Sequence, residues 1–133
     1  MSMSWITDIE TLLTTMNPKH IAGNFVFCSL SENEMSTLSF VPLFIFRETE
    51  GVTMVTTKEH ADKNNIKYEN VWSLITLTVH SSLTAVWFLA AITTKLAQSG
   101  ISVNAVSAYY HDHIFVPIER IQEALELLQT FTL

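Results

Sequence analysis

The stretch VWSLITLTVHSSLTAVWFLAAITTKLAQSGISVNAVSAYYHDHIFVP, Val71 to Pro117, decides the fold. In its opening run, Trp72, Leu74, Thr76 and Thr78 alternate with Val71, Ser73, Ile75, Leu77 and Val79. Both sets are apolar or small, the pattern of a strand covered on both faces. HSSL follows as a loop, with Ser82 a good helix N-cap. Apolar side chains then recur at helical steps from Thr84 to Ser99, and Gly100 is the expected stop. Ile101 to Tyr110 reads as a strand with Ile101, Val103, Ala105, Ser107 and Tyr109 on one face. His111-Asp112-His113 reads as a turn, through the backbone chemistry of Asp112. The strand IFVP comes next, and Pro117 opens a last helix with Ile118, Ile121, Leu125 and Leu128 at three- and four-residue steps. The order βαββα predicts a split-βαβ sandwich of the α+β class, with helices on one face of an antiparallel sheet.

Within the long helix, Val86, Leu89, Ala90, Leu96 and Ala97 form one stripe with Thr93 inside it. The other side holds Trp87, Phe88, Ala91 and Ile92. A helix apolar on two sides is buried on two sides. The extra face is expected to pack against the other half of the chain or another subunit.

Upstream, the spacing of Trp5, Ile6, Ile9, Leu12, Leu13 and Met16 predicts a helix that Asn17-Pro18 ends. Gly23 to Ser31 is rich in strand formers. Pro42 to Arg47 and Val52 to Thr56 read as a hairpin around Glu48 to Gly51. Glu32 to Ser39 has room for a short helix, and Lys58 to Asn65 reads as another. The two halves share an order of elements, so the chain is expected to hold two units, 1–67 and 68–133. The second unit lacks a last strand, which either a strand of the first half or the tail Thr130 to Leu133 must supply.

Charge and composition narrow the function. The chain has 133 residues, 48% of them hydrophobic and 15% charged, which excludes a disordered chain. Mean hydropathy is +0.28, and a small protein this apolar tends to cover part of its surface with a partner, commonly a second copy. The net charge of −6, with seven scattered basic residues, argues against nucleic acid and anionic membrane surfaces as partners. Cys28 is the single cysteine, so neither an intrachain disulfide nor a thiolate cluster is expected, and a reducing cytoplasm fits. MSMSWITDIETLL carries acids and no basic leader, so it does not read as a secretory signal.

Catalytic patterns are weak. His111 and His113 flank Asp112, and residues two apart on an extended chain face the same way. Zinc favours three or four protein donors, so His80, His20 or His60 would have to join them. The turn is the simpler reading. Ser81 and Ser82 follow His80, but no nucleophile elbow is present. The glycines Gly23, Gly51 and Gly100 are too far apart to cradle a phosphate. No enzyme, cofactor or metal is expected on these residues.

The end of the first strand offers more. A helix starting at about Ser82 to Thr84 presents free backbone N–H groups and a positive dipole end, where a carboxylate can sit. Ser81, Ser82 and Thr84 add hydroxyls, and Asn104 on the next strand adds donors and an acceptor. This mixture suits an amino acid, but from the chemistry alone an ordinary capped helix beside a strand asparagine is the favoured reading.

The block LTVHSSLTAVWFLAAITTKLAQSGISVNAVSAYYHDHIFVP, Leu77 to Pro117, resembles the ACT domain. It is most similar to stand-alone bacterial ACT-like proteins and more distantly to the regulatory part of aspartate kinases. The resemblance runs from about Tyr68 to Leu128. It implies a ferredoxin-like fold of two βαββαβ-type units with joined antiparallel sheets and helices on one face. It implies a non-catalytic regulatory protein that binds a small amino acid between units and forms homo-oligomers. The implied ligand-binding residues are Ser81, Ser82, Leu83 and Thr84 in the loop, Ala85 and Val86 at the helix start, and Asn104, Ala105 and Val106 on the second strand. Trp87 stands where relatives often carry glycine, and it would fill the pocket or seal an interface. A rival reading keeps the fold as a ligand-free oligomerisation or protein-interaction module.

Overall fold

The computed structural model describes residues 16–78 and 85–131. The helix expected from Trp5 to Met16 lies outside these residues apart from Met16, and so does the loop from Val79 to Thr84. Six strands, β1 (Pro18–Leu30), β2 (Phe44–Arg47), β3 (Val52–Thr57), β4 (Trp72–Leu77), β5 (Asn104–Ser107) and β6 (Asp112–Pro117), follow the order β2-β3-β1-β4-β6-β5 in one sheet. The chain divides into two compact units. One comprises Ala22–Ser73; the other takes the start of β1 up to Ile21 and the residues described from Leu74 onward.

In the first of these units, β1 (Pro18–Leu30) leads into α1 (Glu32–Ser36), β2 (Phe44–Arg47), β3 (Val52–Thr57) and α2 (Lys58–Lys63). Ser31 starts α1 with a capping box: its Oγ accepts from the Glu34 N–H at 3.1 Å, and its own N–H donates to Glu34 Oε1 at 2.9 Å. The hairpin closes through reciprocal backbone bonds between Glu48 and Gly51, at 2.9 and 3.3 Å. Antiparallel pairing puts Cys28 opposite Met54 and Leu30 opposite Val52. Because side chains alternate along a strand, Val26, Cys28 and Leu30 share one face. They form a core with Met54 and Ala61, against which Met35, Leu38, Phe40 and Ile66 pack.

In the second unit, β4 (Trp72–Leu77) is followed by α3 (Ala85–Gln98), β5 (Asn104–Ser107), β6 (Asp112–Pro117), a 3-10 turn (Ile118–Arg120) and α4 (Ile121–Gln129). Ile75 and Leu77 of β4 and Ile114 and Val116 of β6 meet Phe88, Ile92 and Leu96 of α3 and Ala124 and Leu128 of α4. Gly100 ends α3 at φ +74°, donating to the Ala97 carbonyl while Ile101 donates to that of Leu96. Only glycine adopts this left-handed turn without strain. The Arg120 guanidinium then covers the carbonyls of Ser99 and Gly100 at 2.8 and 3.3 Å.

The strand missing from the second unit comes from the first half of the sequence. Pro18–Ile21 of β1 cluster with that unit, and β1 neighbours β4 in the sheet. The Thr78 hydroxyl donates to the Asn17 carbonyl at 3.2 Å, and Met16 is buried among Ile75, Leu77 and Phe88. Phe131 of the tail is buried in the same core, with the Lys95 ammonium 5.9 Å from its ring centroid.

Three expectations are corrected. The buried stripe of α3 is Phe88, Ile92 and Leu96, with Leu89 and Ala91 partly covered, whereas Ala90 and Ala97 are exposed. Among the described residues, the buried positions of the helix lie along that one stripe. The turn between β5 and β6 is Ala108 to His111, closed by an Ala108 N–H to His111 carbonyl bond of 3.0 Å. Asp112 and His113 already belong to β6, opposite Ser107 and Val106. Finally, Pro117 ends β6, and α4 begins after the 3-10 turn.

Candidate functional site

Among the described residues, β5 is the last strand in the order, paired with β6 alone. An edge strand keeps one row of backbone N–H and C=O groups free to receive a ligand or another chain. Asn104 lies opposite Phe115, Ala105 opposite Ile114, and Val106 opposite His113. Ile114 points into the core, so by alternation Ala105 lies on the helix side, and Asn104 and Val106 on the other. The Asn104 side chain is exposed while Phe115, across from it, is buried. A polar amide therefore stands at the sheet edge beside a dry apolar base.

Ala85 is the first residue of α3, and no acidic residue occupies the helix's first turn. Trp87, near the start of the helix, is 55% exposed. Ser81, Ser82, Leu83 and Thr84 lie outside the described residues, as do the side chains of Ala85 and Val86. Of the expected ligand-binding residues, Asn104, Ala105 and Val106 are placed together on one edge strand.

Beside them is a pairing the sequence reading missed. His113 Nδ1 lies 3.0 Å from Thr76 Oγ1, across from β4 to β6. Thr76 is buried, and burial is the main cause holding His113 below its ordinary pKa; nearby His111 adds to this and Asp112 opposes it. Thr76 and His113 are distant in sequence, and only strand pairing brings them together. Among the described residues, the His111 Nδ1 atom is buried without a hydrogen-bond partner. Among the described residues no three His, Cys, Asp or Glu side chains converge as metal ligands. Cys28 is buried, and burial pushes its thiol above the usual range, opposite to what a reactive thiolate needs.

Comparison with known proteins fits this architecture. Residues 4–73 match one ACT domain model and residues 70–130 match a second. The chain belongs to the ACT domain family, a family of regulatory modules, and its fold is the ferredoxin-like ACT fold. A crystal structure from Vibrio cholerae, of a protein of unknown function described as a possible transport protein, is similar at 46% identity. The match covers 93% of this chain and 95% of that one, with a TM-score of 0.84. A protein from Agobacterium tumefaciens matches at 16% identity over 85% of this chain and 86% of its own, with a TM-score of 0.67. The ligand-free regulatory subunit of aspartate kinase from Thermus thermophilus matches at 11% identity over 91% and 99%, with a TM-score of 0.66. These last two establish likeness of fold. No protein of curated function matches the sequence. Among the described residues no helix is long and apolar enough to cross a membrane.

Proposed function

We propose that this chain is a non-catalytic, cytoplasmic regulatory protein that binds a small amino acid and acts as a homo-oligomer. The observation that carries the reading is the exposed Asn104 on the open edge of β5, in a chain of the ACT family. The α-carboxylate is assigned to the N–H groups at the start of α3 and the hydroxyls of Ser81, Ser82 and Thr84. The remaining ligand contacts come from Leu83, Ala85, Val86, the Asn104 amide and the backbone of Ala105 and Val106. A ligand bound by these groups stabilises one state of the homo-oligomer over another. An effector works only through such a difference in affinity between two states.

The test is thermal unfolding of the dialysed protein against each of the twenty amino acids. A ligand that binds the native state at one hundred times its Kd adds about 2.7 kcal/mol of stability. A selective rise in Tm supports the reading; no shift with any of them refutes it.

A second reading keeps the fold as a protein-interaction module. It is favoured by Trp87, a large aromatic side chain left 55% exposed on α3. Under this reading Trp87→Ala weakens partner capture while amino acids leave Tm unchanged.

A further inference from the structure

We infer that the amino acid bound at β5 has an uncharged, apolar side chain, and that Val106 is the residue that selects it. This ligand class rests on the proposed function and narrows it. Asn104, the exposed amide of that reading, shares a face of the sheet with Val106, two residues further along β5. Two residues of a strand span about 6.8 Å. An amino acid whose polar groups are held at Asn104 and at the backbone of the edge therefore lays a side chain of about the length of leucine or methionine beside Val106.

The surroundings on that face are uncharged. Phe115 lies opposite Asn104, and His113 lies opposite Val106. Phe115 is buried, and so is Thr76, whose hydroxyl engages His113 Nδ1 at 3.0 Å. Burial holds His113 below its ordinary range, so the ring is neutral at physiological pH. Val106 itself is half-buried. An apolar side chain laid against it removes apolar surface of both from water.

Among the described residues of the second unit, the charged side chains lie elsewhere. Asp112 sits opposite Ser107, and its alternation with the core residue Ile114 places it on the helix side of the hairpin. Lys95 lies over the Phe131 ring in that same helix-side core. Arg120 covers the Ser99 and Gly100 carbonyls and pairs with Glu123 at 2.8 Å. Glu119 and Glu126 belong to the same 3-10 turn and to α4. Lys19 is on β1, three places from β5 in the strand order, or about 14 Å at the usual strand spacing. A lysine or arginine ligand would therefore meet no carboxylate beside Val106, and a glutamate no cation. Taking such a charge out of water without a partner is costly.

Thermal shift of the dialysed whole chain, followed by titration calorimetry, tests this with leucine, methionine and norleucine against lysine, arginine and glutamate. Norleucine is lysine without its ammonium group, so that pair isolates the charge. Norleucine is expected to bind about tenfold or more tightly than lysine. Val106→Lys is expected to raise the norleucine Kd by a similar factor and to let glutamate bind, because the introduced ammonium meets no carboxylate on its own face. Val106→Ala serves if the lysine variant melts early. It is expected to shrink the ratio of norleucine to alanine affinity, which a general loss of folded protein would leave unchanged. Lysine, arginine or glutamate binding the parent more tightly than norleucine, a Val106→Lys chain that keeps the parent's preference, or an unchanged ratio in Val106→Ala would overturn the assignment and leave the amino-acid reading in place. A parent that responds to none of the twenty amino acids or norleucine refutes that reading and takes the assignment with it.

Discussion

Thr76 Oγ1 and His113 Nδ1 stand 3.0 Å apart and tie β4 to β6 through side chains as well as backbone. The hydroxyl is buried and the ring half-buried. Thr76→Val keeps the shape but removes the polar partner. Leaving a buried nitrogen unsatisfied is expected to cost about 1–3 kcal/mol. Urea unfolding of the variant measures this, and an unchanged midpoint would mean that water replaces the hydroxyl freely.

The same histidine sets a pH dependence. Burial holds His113 below its ordinary value of 6.5, so the unfolded chain takes up its proton first as pH falls. Its contribution to stability is present above about pH 6.5 and is lost through the window below that, down to the folded-state value. Tm is therefore expected to fall on going from about pH 7.5 to about 5.5. His113→Gln is expected to flatten that part of the profile. Glu34, Glu59 and Asp62, all held below their ordinary values by hydrogen bonds, act in a separate, more acidic window. An equal slope in parent and His113→Gln across the same range would remove His113 as the source.

The orientation of α3 gives a third expectation. Ile92 is fully buried and Ala90 is exposed. Ile92→Ala is expected to destabilise by about 2–5 kcal/mol through lost burial and the cavity left behind. Ala90→Lys is expected to stay within about 0.5 kcal/mol of the parent in the dialysed protein. The reverse order would restore the stripe through Ala90.

These elements also mark where the sequence is legible. The β2–β3 hairpin is readable because the Glu48 to Gly51 turn and the apolar alternation are local signals. The family is readable from Leu77 to Pro117 as a continuous string. The face of α3 is not, because Trp87, Phe88, Leu89, Ala90, Ala91 and Ile92 are apolar in succession and a period cannot choose among them. Asp112 misleads because turn chemistry suits a residue that instead pairs with Ser107. That β1 supplies the strand beside β4 is one of two alternatives, and only long-range pairing decides it. The Thr76–His113 bond depends on the register of β4 against β6, which no local pattern encodes.

Gly100 provides a test of a backbone requirement. A Cβ there would meet nothing within 4 Å, so space does not restrict the residue. Its φ of +74° does. Gly100→Ala is expected to cost about 1–2 kcal/mol, the penalty of an L-residue in the left-handed region. Gly100→Asn is expected to cost less, since asparagine tolerates that region. Equal melting of all three chains would mean that the α3–β5 connection relaxes to another turn.

Asn104 separates ligand binding from stability. It is exposed on an edge strand, so its side chain contributes little to the core. Asn104→Ala is expected to melt within about 0.5 kcal/mol of the parent in dialysed buffer. With the amino acid that raises the parent's Tm, the variant's response is expected to shrink or vanish, because the ligand loses an amide partner and the fold does not change. Losing one such hydrogen bond to a charged group costs about 1.5–3 kcal/mol, which is about a tenfold to hundredfold weaker Kd. Titration calorimetry on both proteins measures that ratio directly. An equal Kd would move the ligand away from β5 and leave the start of α3 as the remaining candidate contact.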